Sequence, residues 1–117
     1  MTQESRQAII KLLFLALYRD QQLSLAEDQV FDKALQSLGW ESDSSRAAFI
    51  FSAFATARAA TADPEKAESL FKNLTTTIKE QGGETEAFIW LSKVLSADGL
   101  TASEERFLNR VQSAWFS

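Results

Sequence analysis

Apolar residues recur at three- and four-residue spacing along almost the whole chain. That period constrains the fold more than any other feature, because only a helix gathers such positions onto one face. Ala8, Ile9, Leu12, Leu13, Ala16 and Leu17 make the first stripe, and Val30, Phe31, Ala34, Leu35 and Leu38 the second, which ends at Gly39. The run "ESDSS" offers N-caps for a third helix over about Ser44–Ala60, apolar nearly all round through Phe49, Ile50, Phe51 and Phe54. Asp63 followed by Pro64 marks a further start, since an aspartate caps and a proline fits the first helical position. The fourth stripe, Ala67, Leu70, Phe71, Leu74 and Ile78, closes at Gly82-Gly83. Ala87, Phe88, Leu91, Val94 and Leu95 then form a fifth, and Phe107, Leu108, Val111, Ala114 and Trp115 a sixth.

No segment alternates as a strand would, and with 4 Gly and 1 Pro the turns are few and short. The expectation is an all-α fold over residues 1–117: one compact bundle of about six mostly antiparallel helices, with two similar terminal hairpins around a central pair. A helix apolar on every side belongs in the middle, so the third is expected to be the most buried, with Ile50 and Phe54 touching both terminal hairpins. Trp40, Trp90 and Trp115 are expected at the core or its edge. Phe49 and Phe51 are expected there too. They point to different faces, however, and one left exposed would mark an interface.

Composition narrows the chemistry. The chain has no Cys and no His, which removes thiol nucleophiles, disulfides, the commonest metal ligand and the commonest general base. Any metal is then held through oxygen, which favours Ca²⁺, Mg²⁺ or Mn²⁺. A net charge of −4 with no Lys/Arg cluster excludes nucleic acid as the expected partner. No apolar run approaches the roughly 20 residues of a membrane span. The N-terminal segment carries Glu4, has Lys11 inside its apolar run, and lacks a small-x-small cleavage site, so it does not read as a signal peptide. A cytoplasmic protein is expected. Nothing supplies a substrate cleft or an acid–base pair, so no enzyme and no organic cofactor are expected.

One feature is written twice. "YRDQQLSLAEDQVF" and "SADGLTASEERFL" superpose with one residue's difference in the turn, so that Asp98 falls on Asp20, Thr101 on Ser24 and Glu104 on Glu27. Ser24-x-x-Glu27 and Thr101-x-x-Glu104 are capping boxes, in which hydroxyl and carboxylate satisfy each other's backbone N–H groups. Capping does not explain Asp20 and Asp98, which face the negative pole of the preceding helix. Antiparallel packing through short loops would bring connections 1–2, 3–4 and 5–6 to one end of the bundle, pooling Asp20, Asp63 and Asp98 with the acids after them. The paired acids Glu65/Glu68 and Glu84/Glu86 are read as first-turn groups that suit the helix dipole. The repeat is not an EF-hand, since it lacks the alternating ligands before its glycine and the final glutamate.

The two hairpins resemble the TerB-like family linked to tellurite resistance. The pattern is a helix ending in Asp, a turn, an apolar residue, Ser/Thr, two residues and Glu. "SADGLTASEERFL" follows it well, whereas "YRDQQLSLAEDQVF" departs, with Arg19 before the Asp and Gln21-Gln22 in the turn. Relatives of that family include the N-terminal domain of a membrane-anchored DnaJ-type co-chaperone. The resemblance implies a non-enzymatic helical module of stress or membrane-associated assemblies that binds a divalent cation. By position, the implied ligands are Asp20, Glu27, Asp98 and Glu104, with Asp28 and Glu105 adjacent. The alternative is a protein-interaction scaffold whose acids serve only as caps and solubilising charge.

Overall fold

The computed structural model describes residues 2–18, 25–40, 45–97, 99 and 101–116, with Tyr18, Leu25, Glu27 and Asp28 described in their backbone alone. These residues form six helices and no strand: α1 (Gln3–Tyr18), α2 (Leu25–Leu38), α3 (Arg46–Thr61), α4 (Pro64–Glu80), α5 (Glu84–Leu95) and α6 (Ala102–Phe116). Their ends follow the local chemistry. Ser45 caps α3 by accepting the Ala48 N–H at 3.3 Å, and Asp63 caps α4 by accepting the Glu65 N–H at 3.0 Å, with Pro64 opening the helix. Gly39 and Gly82, just past α2 and α4, have φ of 77° and 76°. That left-handed conformation disfavours a Cβ, so glycine ends these helices with little strain.

The centre of the bundle is α1. Ile9, Ile10, Leu12, Leu13 and Leu15 are at most 1% exposed, although they point in every direction around the helix axis. This is achieved because α1 packs on α2, α3, α4 and α5 at once. Hence α3 is not the most buried helix, contrary to the expectation from its sequence. It packs on α1 and α4 along one line of alanines, Ala53, Ala57 and Ala60, and its other side faces solvent. Phe54 meets Phe14 of α1 edge-on with ring centroids 6.0 Å apart. Like Ile50, it is only partly buried against the core. The main partners of the α5–α6 hairpin are α1, α2 and α4, so α3 does not bridge the two terminal hairpins as expected.

The reason is side-chain size. Full burial of an Ile, Leu or Phe side chain is worth about 1.5–3 kcal/mol, whereas an alanine methyl offers only a fraction of that. Two segments compete for the middle, and the one with bulky side chains gains more from it. Trp115 closes the core beneath α4, its indole N–H donating to the Thr75 carbonyl at 2.9 Å, while Trp40 and Trp90 lie at the core edge.

Pairs of contacts fix the direction of the helices. Arg6 reaches Leu38 and Phe14 stacks near Phe31, so α1 and α2 are antiparallel. Lys11 lies over Phe49 and Phe14 meets Phe54, so α1 and α3 run the same way. The start of α1 meets the end of α4 where the Thr2 hydroxyl donates to the Gln81 side chain at 2.9 Å. Phe71 packs on Phe107 and Thr75 on Trp115, so α4 and α6 run together. Successive helices therefore alternate. The end of α1, the start of α2, the α3–α4 connection, the end of α5 and the start of α6 share one pole of the molecule.

Candidate functional site

The second of the two acidic turns is described in part. Gly99 has φ of 97° and its N–H donates to the Ser96 carbonyl at 3.2 Å, turning the chain sharply after α5. The Thr101 hydroxyl then accepts the Glu104 N–H at 3.2 Å, while Glu104 Oε1 accepts the Thr101 N–H at 2.9 Å. This is the reciprocal capping box expected from the sequence. Glu104 is only 5% exposed, because reaching back over the helix start folds its carboxylate beneath the turn. Its Oε1 is thus committed to a backbone donor, which is the structural role. The adjacent Glu105 is exposed.

The other implied ligands lie beyond this description: Asp20 and Asp98 fall outside the described residues, and the side chain of Glu27 does too, as does that of Asp28. Among the described residues no group of three or more acids is placed to hold a metal ion. What the described residues do establish is the common pole, because the helix ends that flank both acidic turns meet there. The first acid of the α3–α4 connection, Asp63, is occupied in capping α4.

At the opposite pole a polar cluster holds the start of α1. Arg6, 8% exposed, donates from Nε to the carbonyl of Leu38, the last residue of α2, at 2.7 Å. A guanidinium there satisfies a terminal carbonyl and opposes the negative end of the helix dipole. The next pair is Ser5, fully buried, against Gly83 at the start of α5. A Cβ on Gly83 would collide with the Ser5 hydroxyl, so this glycine is required for close approach and not for its backbone angles. Neither Arg6 nor Ser5 carried a signal in the sequence, since both look like ordinary polar residues of a helix start.

Between α4 and α6, Arg110 donates to both carboxylate oxygens of Glu68 at 2.7 Å and lies over the Phe71 ring, 4.4 Å from its centroid. Glu68 is therefore an ion-pair partner, not the dipole-compensating group expected. Glu65, Glu84 and Glu86 do occupy the first turns of α4 and α5.

The least expected surface is the outer face of α3. Phe51 is 77% exposed, not part of the core. Ala48, Phe51, Ala55 and Ala59 follow one another at helical spacing, and all are exposed. Phe49 instead turns inward, with Trp40 at 5.3 Å and the Lys11 ammonium 5.7 Å from its ring centroid. The helix contains two arginines, Arg46 and Arg58, and no acid.

The molecule is an all-α bundle with a buried core and, on α3, an exposed apolar helix flank. No protein-family model matches the chain, and no curated protein or solved structure matches it significantly. Among the described residues no helix is long and apolar enough to cross a membrane.

Proposed function

We propose that this chain is a non-enzymatic, cytoplasmic interaction module whose working surface is the outer face of α3. The observation that carries the reading is Phe51, a large aromatic 77% exposed on a helix whose outward stripe is otherwise alanine. A solvated phenyl ring contributes nothing to the core, and contiguous exposed apolar surface marks interaction sites. Alanines beside it let a partner backbone come close, and the ring supplies an anchor of the kind that dominates interfaces. A photoreactive phenylalanine analogue placed at position 51, and in a control at exposed Asp32 on α2, tests this in the native host. A discrete adduct formed from position 51 and absent from position 32 is the expected result. Equal, diffuse labelling from both positions would count against it.

A second reading is favoured by the shared pole of the helix ends around the two acidic turns. On it, the chain is a TerB-like module of stress or tellurite resistance that pools Asp20, Glu27, Asp98 and Glu104 around a divalent cation. Glu104 could contribute only its second oxygen while its capping box stays closed. A cation present at a hundred times its dissociation constant adds about 2.7 kcal/mol of stability. Melting in EDTA and then in millimolar Ca²⁺, Mg²⁺ or Mn²⁺ should raise Tm with one of them. The rise should vanish when Asp20→Asn and Asp98→Asn are combined. An unchanged Tm in every ion removes this reading and leaves the first intact.

A further inference from the structure

Beyond the face of α3, and resting on none of its residues, we infer that the hollow between α4 and α6 binds a carboxylate attached to an apolar body. The hollow has a volume of about 630 Å³, within the range of about 300–1,000 Å³ usual for small-ligand sites. Its walls divide by chemistry. Phe71, Thr75 and Ala114 offer carbon surface, whereas Lys72 and Arg110 are its two cations and Glu68 its one acid. Two cations less one acid leave one surplus positive charge, in a chain that carries −4 overall.

Arg110 is held ready for an oxyanion. Its guanidinium lies over the Phe71 ring, 4.4 Å from the centroid, and its Nη2 donates to both oxygens of Glu68 at 2.7 Å. A guanidinium carries five N–H donors, so those of Nε and Nη1 remain. None of them meets an acceptor among the described residues. The ring fixes the plane of the fork and Glu68 fixes its rotation, so an incoming carboxylate meets donors already in place. Lys72 stands one turn after Glu68 on α4, is exposed, and forms no ion pair among the described residues.

Charge selects a carboxylate over a phosphate. One carboxylate balances the one surplus charge. A phosphate monoester carries about −1.5 to −2 at pH 7, and its excess would face Glu68 and, in the adjoining hollow that Lys72 also lines, Glu65. An uncharged ligand would leave the cations to water. The carbon surface of Phe71, Thr75 and Ala114 calls for an apolar group beside the acid.

The test is a titration of the ¹⁵N-labelled protein with phenylacetate, phenylacetamide and phenyl phosphate, followed by NMR. Phenylacetate should shift amides of α4 and α6 around the hollow with a Kd of about 1–10 mM, as a ligand this small allows. Phenylacetamide should bind at least fivefold more weakly. Lys72→Gln and, separately, Arg110→Gln should each weaken phenylacetate by about threefold or more. Glu68→Gln should tighten it several-fold, because an internal carboxylate no longer competes for the fork. If Arg110→Gln does not fold, Lys72→Gln and Glu68→Gln decide the matter, since both keep Arg110. An N-acetyl-Gly-Gly-Phe peptide with a free carboxylate identifies the source of the ligand. Tighter binding than phenylacetate assigns the site to a polypeptide C-terminus, and equal or weaker binding to a small carboxylic acid. Four results overturn the inference: no shift with phenylacetate, equal shifts beside Arg46 and Arg58 on α3, equal affinity for the amide, or tighter binding of the phosphate. Affinity unchanged in the variants that fold overturns it too.

Discussion

α1 and α3 are both written almost wholly in apolar residues, yet one is enclosed by four helices and the other lies on the flank. The difference is where each keeps its bulk. Along α1, Ile, Leu and Phe point outward in every direction, and from Ala8 to Leu17 every residue but Lys11 is buried. Along α3 the only fully buried residues are alanines; Phe49, Ile50 and Phe54 are half-buried against the core and Phe51 faces water. Low polarity alone therefore does not decide which helix takes the centre. Apolar area per residue does, because stabilisation scales with the surface removed from water at about 25 cal/mol per Å². A helix that fully buries only alanines and turns one phenylalanine to solvent has that ring free for something else.

The largest expected difference between the two helices lies in truncation of a core residue. Leu13 is fully buried, and Leu13→Ala should destabilise the protein by about 2–5 kcal/mol in urea unfolding. For a domain of this size that is a large share of the total stability. A loss below about 1 kcal/mol would place the centre of the bundle elsewhere.

Enlarging the buried alanine line of α3 probes the same contrast from the other side. Ala57 is 1% exposed where α3 lies on its neighbours, and Ala57→Leu should cost about 1–3 kcal/mol by forcing α3 off α1 and α4. A neutral or stabilising result, read by the urea midpoint, would mean that α3 rests loosely on the bundle.

The smallest effect belongs to the outward ring. Phe and Ser have similar helix propensities, so Phe51→Ser should change stability by no more than about 0.5 kcal/mol in either direction. Together with Leu13→Ala this gives the comparison its sharpest form: similar apolar residues on two helices, with opposite consequences of removal.

Much of the fold was legible because helix ends are local chemistry. Asp63 and Thr101 with Glu104 each cap with atoms only two or three residues away, so spacing alone predicted their hydrogen bonds; the run "ESDSS" offered several caps for α3, and the one used is Ser45. Alternation of helix direction was legible for a related reason, since short connections leave the chain little choice. Contacts between distant segments were not. Arg6 on the Leu38 carbonyl, Ser5 against Gly83 and Arg110 on Glu68 join residues far apart in sequence and leave no periodic trace. The rank of α1 over α3 was misjudged because counting apolar positions treats alanine and leucine alike. As for the acidic turns, the sequence foretold the capping role of Glu104 and the common pole, and the carboxylates of Asp20, Glu27 and Asp98 lie outside the described residues.

The claim on which the account turns is that the outer face of α3 is open in the folded protein while α1 is closed. The chain has no cysteine, so a single introduced thiol reports on one position alone. The most direct measurement is the reaction rate of Phe51→Cys and, separately, Leu13→Cys with a maleimide or disulfide reagent under native conditions. Phe51→Cys should react within about tenfold of the same protein unfolded in urea, because no opening step precedes attack on an exposed thiol. Leu13→Cys should be slowed by orders of magnitude, since its thiol is reached only through opening of the core. Protection of position 51 comparable to that of position 13 would contradict the account, for it would mean that α3 hides the face described here as free.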